Sequence, residues 1–184
     1  MHECGDNEIE REYWDKRQLV KKINLNSLYG AILNPGCRFF DIRIGQSVTL
    51  SGRCITKHMA SKVNEIVAGK YDHKGESVVY GDTDSVYFSA YKTLKKEIDQ
   101  GVIPWTKDSV VALYDKISDE VNGSFKAFMT KAFHCPSTRG EVIAAGRELV
   151  GSKGLFITKK RYALLYYDKE GERTDTAGKE GKMK

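Results

Sequence analysis

The chain has 184 residues, of which 40% are hydrophobic, 30% charged and 10% aromatic. That suits one domain or a domain with an appendage, and it excludes a disordered, fibrous or membrane-embedded chain. Thirty Lys and Arg stand against 25 Asp and Glu, a net charge of +5. No apolar run reaches the roughly 18 residues that a spanning helix needs.

The charge is unevenly spread. Residues 1–15 hold six acids against Arg11, and Lys16, Arg17, Lys21 and Lys22 follow without an acid among them. Acids early and bases late complement a helix dipole. The segment from residue 150 onward carries nine bases and five acids, including the run Lys159-Lys160-Arg161, which fits contact with a polyanion and equally fits a solvated tail. The first 14 residues are acidic and have no apolar centre, so they are no signal peptide. Cys4, Cys37, Cys54 and Cys135 are widely spaced and read as free thiols of a reducing compartment.

In chain order, residues 8–32 have helical composition, with Leu25, Leu28 and Ile32 recurring at helical spacing, and Asn34-Pro35-Gly36 ends them. A second helix is expected over 41–68, where Ile44, Val48, Ile55, Met59, Val63 and Ile66 form one stripe and Gly45, Ser51 and Gly52 permit close approach. Residues 77–80 and 86–88 flank Gly81-Asp82-Thr83-Asp84-Ser85 and predict a β-hairpin. Helices are expected over 92–99 and 108–132, and strands over 141–145, 155–158 and 162–168. From Lys169 onward the chain is polar and unable to close a core. The fold class is therefore α+β: an antiparallel sheet with a carboxylate-tipped hairpin, packed by helices.

Two segments carry chemistry. Asp82 and Asp84, two residues apart at a tight turn, each raise the cost of ionising the other, and a divalent cation removes that penalty. A sheet on either side would hold the tip in a buried, rigid setting. Asp and Gly are also what an ordinary turn uses. On the first helix, Lys22, Asn26 and Tyr29 lie at i, i+4 and i+7, so a cation, an amide and an aromatic share one face, and Gly30 lets a flat group approach the backbone. An ordinary polar helix face has the same pattern. Cys54 and His58, at i and i+4, lack companion ligands and read as packing or surface residues. Trp14 and Trp105 read as packing residues.

Together the segments are specific. Lys22-x-x-x-Asn26-Ser27-x-Tyr29-Gly30, followed about fifty residues later by Tyr80-Gly81-Asp82-Thr83-Asp84-Ser85, resembles the B and C motifs of family B DNA polymerases. Gly151-Ser152-Lys153-Gly154 and Lys159-Lys160-Arg161-Tyr162 resemble that family's template-primer motif. Arg38-Phe39-Phe40-Asp41 and Arg43 are similar to the stretch after the B motif in its T-even bacteriophage branch.

The resemblance implies a fingers helix over 1–33, a palm portion over 34–168 and a polar tail over 169–184. It implies Asp84 as principal ligand of Mg²⁺ or Mn²⁺, supported by Asp82 and Thr83, with Glu141 as a palm carboxylate near the metals. Lys22, Asn26, Tyr29 and Gly30 become contacts to an incoming dNTP. Lys153, Lys159, Lys160, Arg161 and Tyr162 become contacts to primer-template DNA. The implied reaction is two-metal nucleotidyl transfer to a primer 3′-hydroxyl, in the cytoplasm (the host's, if phage-encoded). The family's A-motif aspartate, its exonuclease and its thumb have no match. The chain alone is therefore expected to be inactive and to need the remaining polymerase segments or a complementary split subunit, with a sliding clamp as a further partner. A non-catalytic DNA-binding subunit is the alternative. A nucleotide cyclase with a Gly-Asp hairpin is weaker, because it lacks the Lys22–Gly30 helix.

Overall fold

The computed structural model describes residues 8–176 and 179–184. Cys4 and the acids Glu3 and Asp6 lie outside them. Contacts divide the chain into two compact units, one ending at Gly52 and one spanning Arg53–Lys184.

In the first unit, α1 (Glu8–Leu33) is a helix of charged and long aliphatic residues, with a Glu12–Lys16 pair at i, i+4. Its expected stripe is not covered: Leu25 is 70% and Leu28 58% exposed. Trp14 is likewise exposed, with the Arg17 guanidinium over its ring, so it is not a packing residue. The helix is tied down at its C-terminal end, where Asp41 N–H donates to the Ile32 carbonyl. Leu33 fills the space beside Gly45, where a Cβ would stand 2.0 Å from Leu33 Cδ2. α2 (Ile42–Ala68) begins there. The Asp41 carboxylate caps it by accepting from Arg43 N–H at 2.9 Å and pairing with the Arg43 guanidinium, which holds the carboxyl down at about 2. Ile44 and Val48 in this first part of α2 are exposed, and a Cβ added to Gly52 would meet nothing within 4 Å.

The second unit takes the rest of α2 and all later elements. β1 (Val78–Asp82) and β2 (Ser85–Phe88) form an antiparallel hairpin. α3 (Tyr91–Asp99) and α4 (Lys107–Phe133) follow. Thr106 and Ser109 cap α4 reciprocally, side chain to backbone N–H in both directions. Next come the short α5 (Ser137–Gly140), then β3 (Leu149–Thr158) and β4 (Arg161–Lys169). The small strands β5 (Glu172–Arg173) and β6 (Lys182–Met183) both pair antiparallel with β4.

Val63 of α2 packs on Ile117, Val121 and Phe125 of α4, with Ile55, Met59 and Ile66 around them, so the C-terminal half of the predicted stripe is core. Val110, Val150 and Tyr167 form a second cluster with Trp105. His58 is buried between the two helices, and Cys54 is exposed.

Two strand expectations need correction. Residues 141–145 are not a strand. Ala145 N–H donates to Asn122 Oδ1 at 2.7 Å, and its carbonyl accepts from Ser118 Oγ and Asn122 Nδ2. Side chains of α4 thus take the bonds that a neighbouring strand would have used. β3 begins six residues earlier than expected, through Gly151 and Gly154. A Cβ on Gly151 would sit 2.8 Å from the Leu165 carbonyl, and the pairing is irregular on both sides of it, the mark of a glycine-mediated bulge.

The polar tail has no buried residue among those described, yet it is ordered by pairing. Lys184 and Leu164 exchange two backbone hydrogen bonds. Asp175 accepts from Lys107 at 2.7 Å and is gripped by Arg173, which also reaches Asp108. These cations hold the Asp175 carboxyl well below the ordinary carboxylate range. Among the described residues no helix is long and apolar enough to cross a membrane.

Candidate active site

The hairpin closes with Asp82 opposite Ser85 and a two-residue turn, Thr83-Asp84. Thr83 takes a positive φ of 45°, a conformation that β-branched residues avoid. Three bonds hold the turn. Thr56 Oγ1 on α2 donates to the Thr83 carbonyl at 2.8 Å, Thr83 Oγ1 donates to Asp82 Oδ1 at 3.2 Å, and Ser85 Oγ donates to the Asp82 carbonyl at 3.1 Å. Asp82 is half-buried and Asp84 exposed. The expected burial of the tip is therefore not observed: a two-stranded sheet has too little width to enclose its own turn.

Asp84 instead stands at a cleft of about 550 Å³, which Tyr87, Arg147, Ser152 and Lys153 also line. One wall is the hairpin and another is the Gly-rich start of β3. The two strand pairs meet through rings. Tyr80, Tyr87, Phe156 and Tyr162 pack with centroids 5.3–5.8 Å apart. The Tyr87 and Tyr162 hydroxyls are 3.0 Å apart, and Lys160 N–H donates to Tyr80 Oη at 2.8 Å. Lys160 itself has φ 64° at the β3–β4 turn. Burial, then the bond to Tyr162, pushes the Tyr87 hydroxyl up to about 12, so it stays protonated at neutral pH. Lys153, Lys159, Lys160 and Arg161 are exposed, and none forms an ion pair with a described residue.

The segments with Asp82-Thr83-Asp84 and with Lys153 to Tyr162 are thus brought together. Glu141 is not gathered with them. It lies in the turn after α5, exposed and paired with Lys126, whose ammonium lowers its pKa. Among the described residues no three His, Cys, Asp or Glu side chains converge as a metal cluster. Lys22, Asn26, Tyr29 and Gly30 lie on α1 in the first unit; Tyr29 is half-buried and the other three are exposed.

Sequence reasoning missed Arg147. Its guanidinium bridges Asp115 of α4 and the nearly fully buried Asp168 of β4, at 2.5 Å to the latter. Asp168 Oδ1 also accepts from Gly171 N–H. These partners are 21 and 32 residues from Arg147, so no local spacing announces them. Thr56 and Tyr87 were missed for the same reason.

The family model for DNA polymerase family B matches residues 1–130. The chain belongs to DNA polymerase family B. It is 34% identical over 168 residues to the DNA-directed DNA polymerase of Escherichia phage RB69, covering 85% of this chain and 18% of the phage protein. The DNA-directed DNA polymerase of Enterobacteria phage T4 is 30% identical over the same shares. The DNA polymerase delta catalytic subunit of Oryza sativa subsp. japonica is 31% identical over 92% of this chain and 13% of its own length. The chain thus spans less than a fifth of these family B relatives. No solved structure matches it.

Proposed function

We propose that the chain is the portion of a DNA-dependent DNA polymerase that carries the carboxylate hairpin of the palm, over 34–168, and a fingers helix, over 1–33. The observation that carries this reading is the shared cleft of Asp84 and Lys153, with Lys159–Tyr162 anchored to the same hairpin. An anionic turn beside a row of exposed cations suits a phosphodiester chain lying along the cations with its reactive end at the carboxylates.

The donor set fits one divalent ion. Mg²⁺ or Mn²⁺ takes one or two carboxylates and leaves its other positions to water and phosphate, and Asp84 with Asp82 offers that many. Such an ion, when bound, neutralises charge that builds up on the phosphates during transfer. Lys153, Lys159, Lys160 and Arg161 hold the primer-template backbone, and Tyr162 donates to it. Lys22, Asn26, Tyr29 and Gly30 supply the dNTP contacts. Asp82 and Asp84 are too few for two ions, so the chain alone does not extend a primer. The remaining polymerase segments, or a split subunit, complete it, and a sliding clamp is a further partner.

The exposure of Asp84, and the lack among the described residues of any three converging His, Cys, Asp or Glu side chains, favour one second reading, a DNA-binding subunit whose hairpin is only a turn. Manganese titration followed by electron paramagnetic resonance separates the two. The polymerase reading requires Mn²⁺ binding that Asp84→Asn abolishes, and primer extension once the missing segments are supplied in trans. Manganese binding indifferent to Asp84 would leave only the subunit reading.

A further inference from the structure

Tyr87 and Tyr162 come from strands 75 residues apart in sequence and meet hydroxyl to hydroxyl at 3.0 Å. Their rings pack at 5.3 Å, and Phe156 packs against both at 5.5 Å. Both are half-buried, and Tyr87 also lines the cleft at Asp84. A phenol has one proton to donate and two lone pairs to accept with. If Tyr87 donates, the Tyr162 oxygen is occupied as an acceptor and its own proton is left for an acceptor outside the protein.

We propose that Tyr87 is a positioning residue for Tyr162, holding the Tyr162 hydroxyl so that its proton points outward to a single phosphate of the primer-template. This deepens, and rests on, the reading of Tyr162 as a DNA contact. Tyr87 touches no DNA in this scheme. It acts through the hydroxyl pair, whose 3.0 Å separation holds one proton between the two oxygens. The same strand continues back to Asp84, so one short element sets both the carboxylate and the phosphate donor.

The test uses the full chain and fluorescently labelled primer-template DNA, with equilibrium binding measured by anisotropy. Tyr87→Phe, which keeps the ring, should weaken binding by roughly ten- to a hundredfold, the worth of one hydrogen bond to a charged partner. Tyr162→Phe should weaken it by the same factor. The double variant should be no worse than either single one, since both remove the same interaction. A scan with single neutral methylphosphonate linkages gives a readout that a general loss of packing would not move. One linkage should weaken wild-type binding and have no effect in Tyr87→Phe, while the remaining linkages behave alike in both. If Tyr162→Phe weakens binding but Tyr87→Phe does not, or if the two effects multiply, the positioning role is overturned and the DNA-contact reading stands. If Tyr162→Phe and neutralisation of Lys159, Lys160 and Arg161 all leave binding unchanged, the DNA-contact reading falls and this inference falls with it.

Discussion

The hydroxyl of Thr56 donates to the backbone carbonyl of Thr83 at 2.8 Å, linking the middle of α2 to the turn between the two aspartates. A two-stranded hairpin with a strained residue at its tip has little to fix it by itself, so this bond helps set where the carboxylates sit. Thr56→Val keeps the shape of the side chain and removes the donor. It is expected to cost about 1 kcal/mol in urea unfolding and to weaken Mn²⁺ binding at Asp84. Unchanged Mn²⁺ affinity would mean that the hairpin holds its tip unaided.

Replacing Lys159, Lys160 and Arg161 by Gln is expected to flatten the dependence of DNA affinity on salt. For duplex DNA, every cation that no longer meets a phosphate lowers the steepness of log K against log salt by about 0.9. Binding isotherms at several salt concentrations measure this directly. An unchanged slope would place the DNA elsewhere on the molecule.

His58 makes stability depend on pH. Ser124 Oγ already donates to the Val121 carbonyl, so it accepts from His58 Nε2–H, and Nδ1 accepts from the Tyr71 hydroxyl. The neutral ring satisfies both bonds, and burial lowers the pKa below the ordinary 6.5. The sign follows: below pH 6.5 the unfolded chain takes up a proton that the folded one refuses, so stability falls as pH drops through that range. Thermal unfolding between about pH 8 and about pH 5 should record the decline, and His58→Gln should flatten it.

Asp168→Ala leaves the Arg147 guanidinium partly buried with only the exposed end of its pairing, to Asp115. Breaking a buried pair in this way costs about 3–5 kcal/mol. Replacing both partners together, as Arg147→Met with Asp168→Leu, should recover a good part of that. Denaturant midpoints of the three proteins decide it.

Gly151→Ala pushes a methyl against the Leu165 carbonyl, which as backbone cannot swing away. The expected cost is about 1–3 kcal/mol, with a widening of the β3–β4 pairing visible as faster amide exchange in both strands. Wild-type stability would show that the bulge relaxes freely.

The two long helices, the hairpin and α4 were readable in the residues because each rests on local signals: the Ile55–Ile66 stripe, the Gly-Asp turn and the apolar face of α4. What failed depended on distant partners. Residues 141–145 have a strand's composition, but Asn122 and Ser118 satisfy their backbone from across the core. Val150 to Gly154 look like a loop, and it is β4 that makes them a strand. Leu25 and Leu28 have the spacing of a buried stripe, and no described residue covers them. The site divided along the same line. Asp82, Asp84, Lys22 and the basic run stand out by motif. Thr56, Tyr87 and Arg147, which orient their neighbours, carry no mark in the linear order.

The residues after Lys169 would be the obvious ones to trim from an expression clone on composition alone. β5 and β6 lie along one side of β4, whose other side is taken by β3. Ending the chain at Lys169 would bare the amides and carbonyls of Leu164 to Tyr167 along an open edge, next to the apolar Leu165. Unpaired edges of that kind recruit further strands, so a shortened protein would be prone to self-association and poor solubility for a reason unrelated to its chemistry.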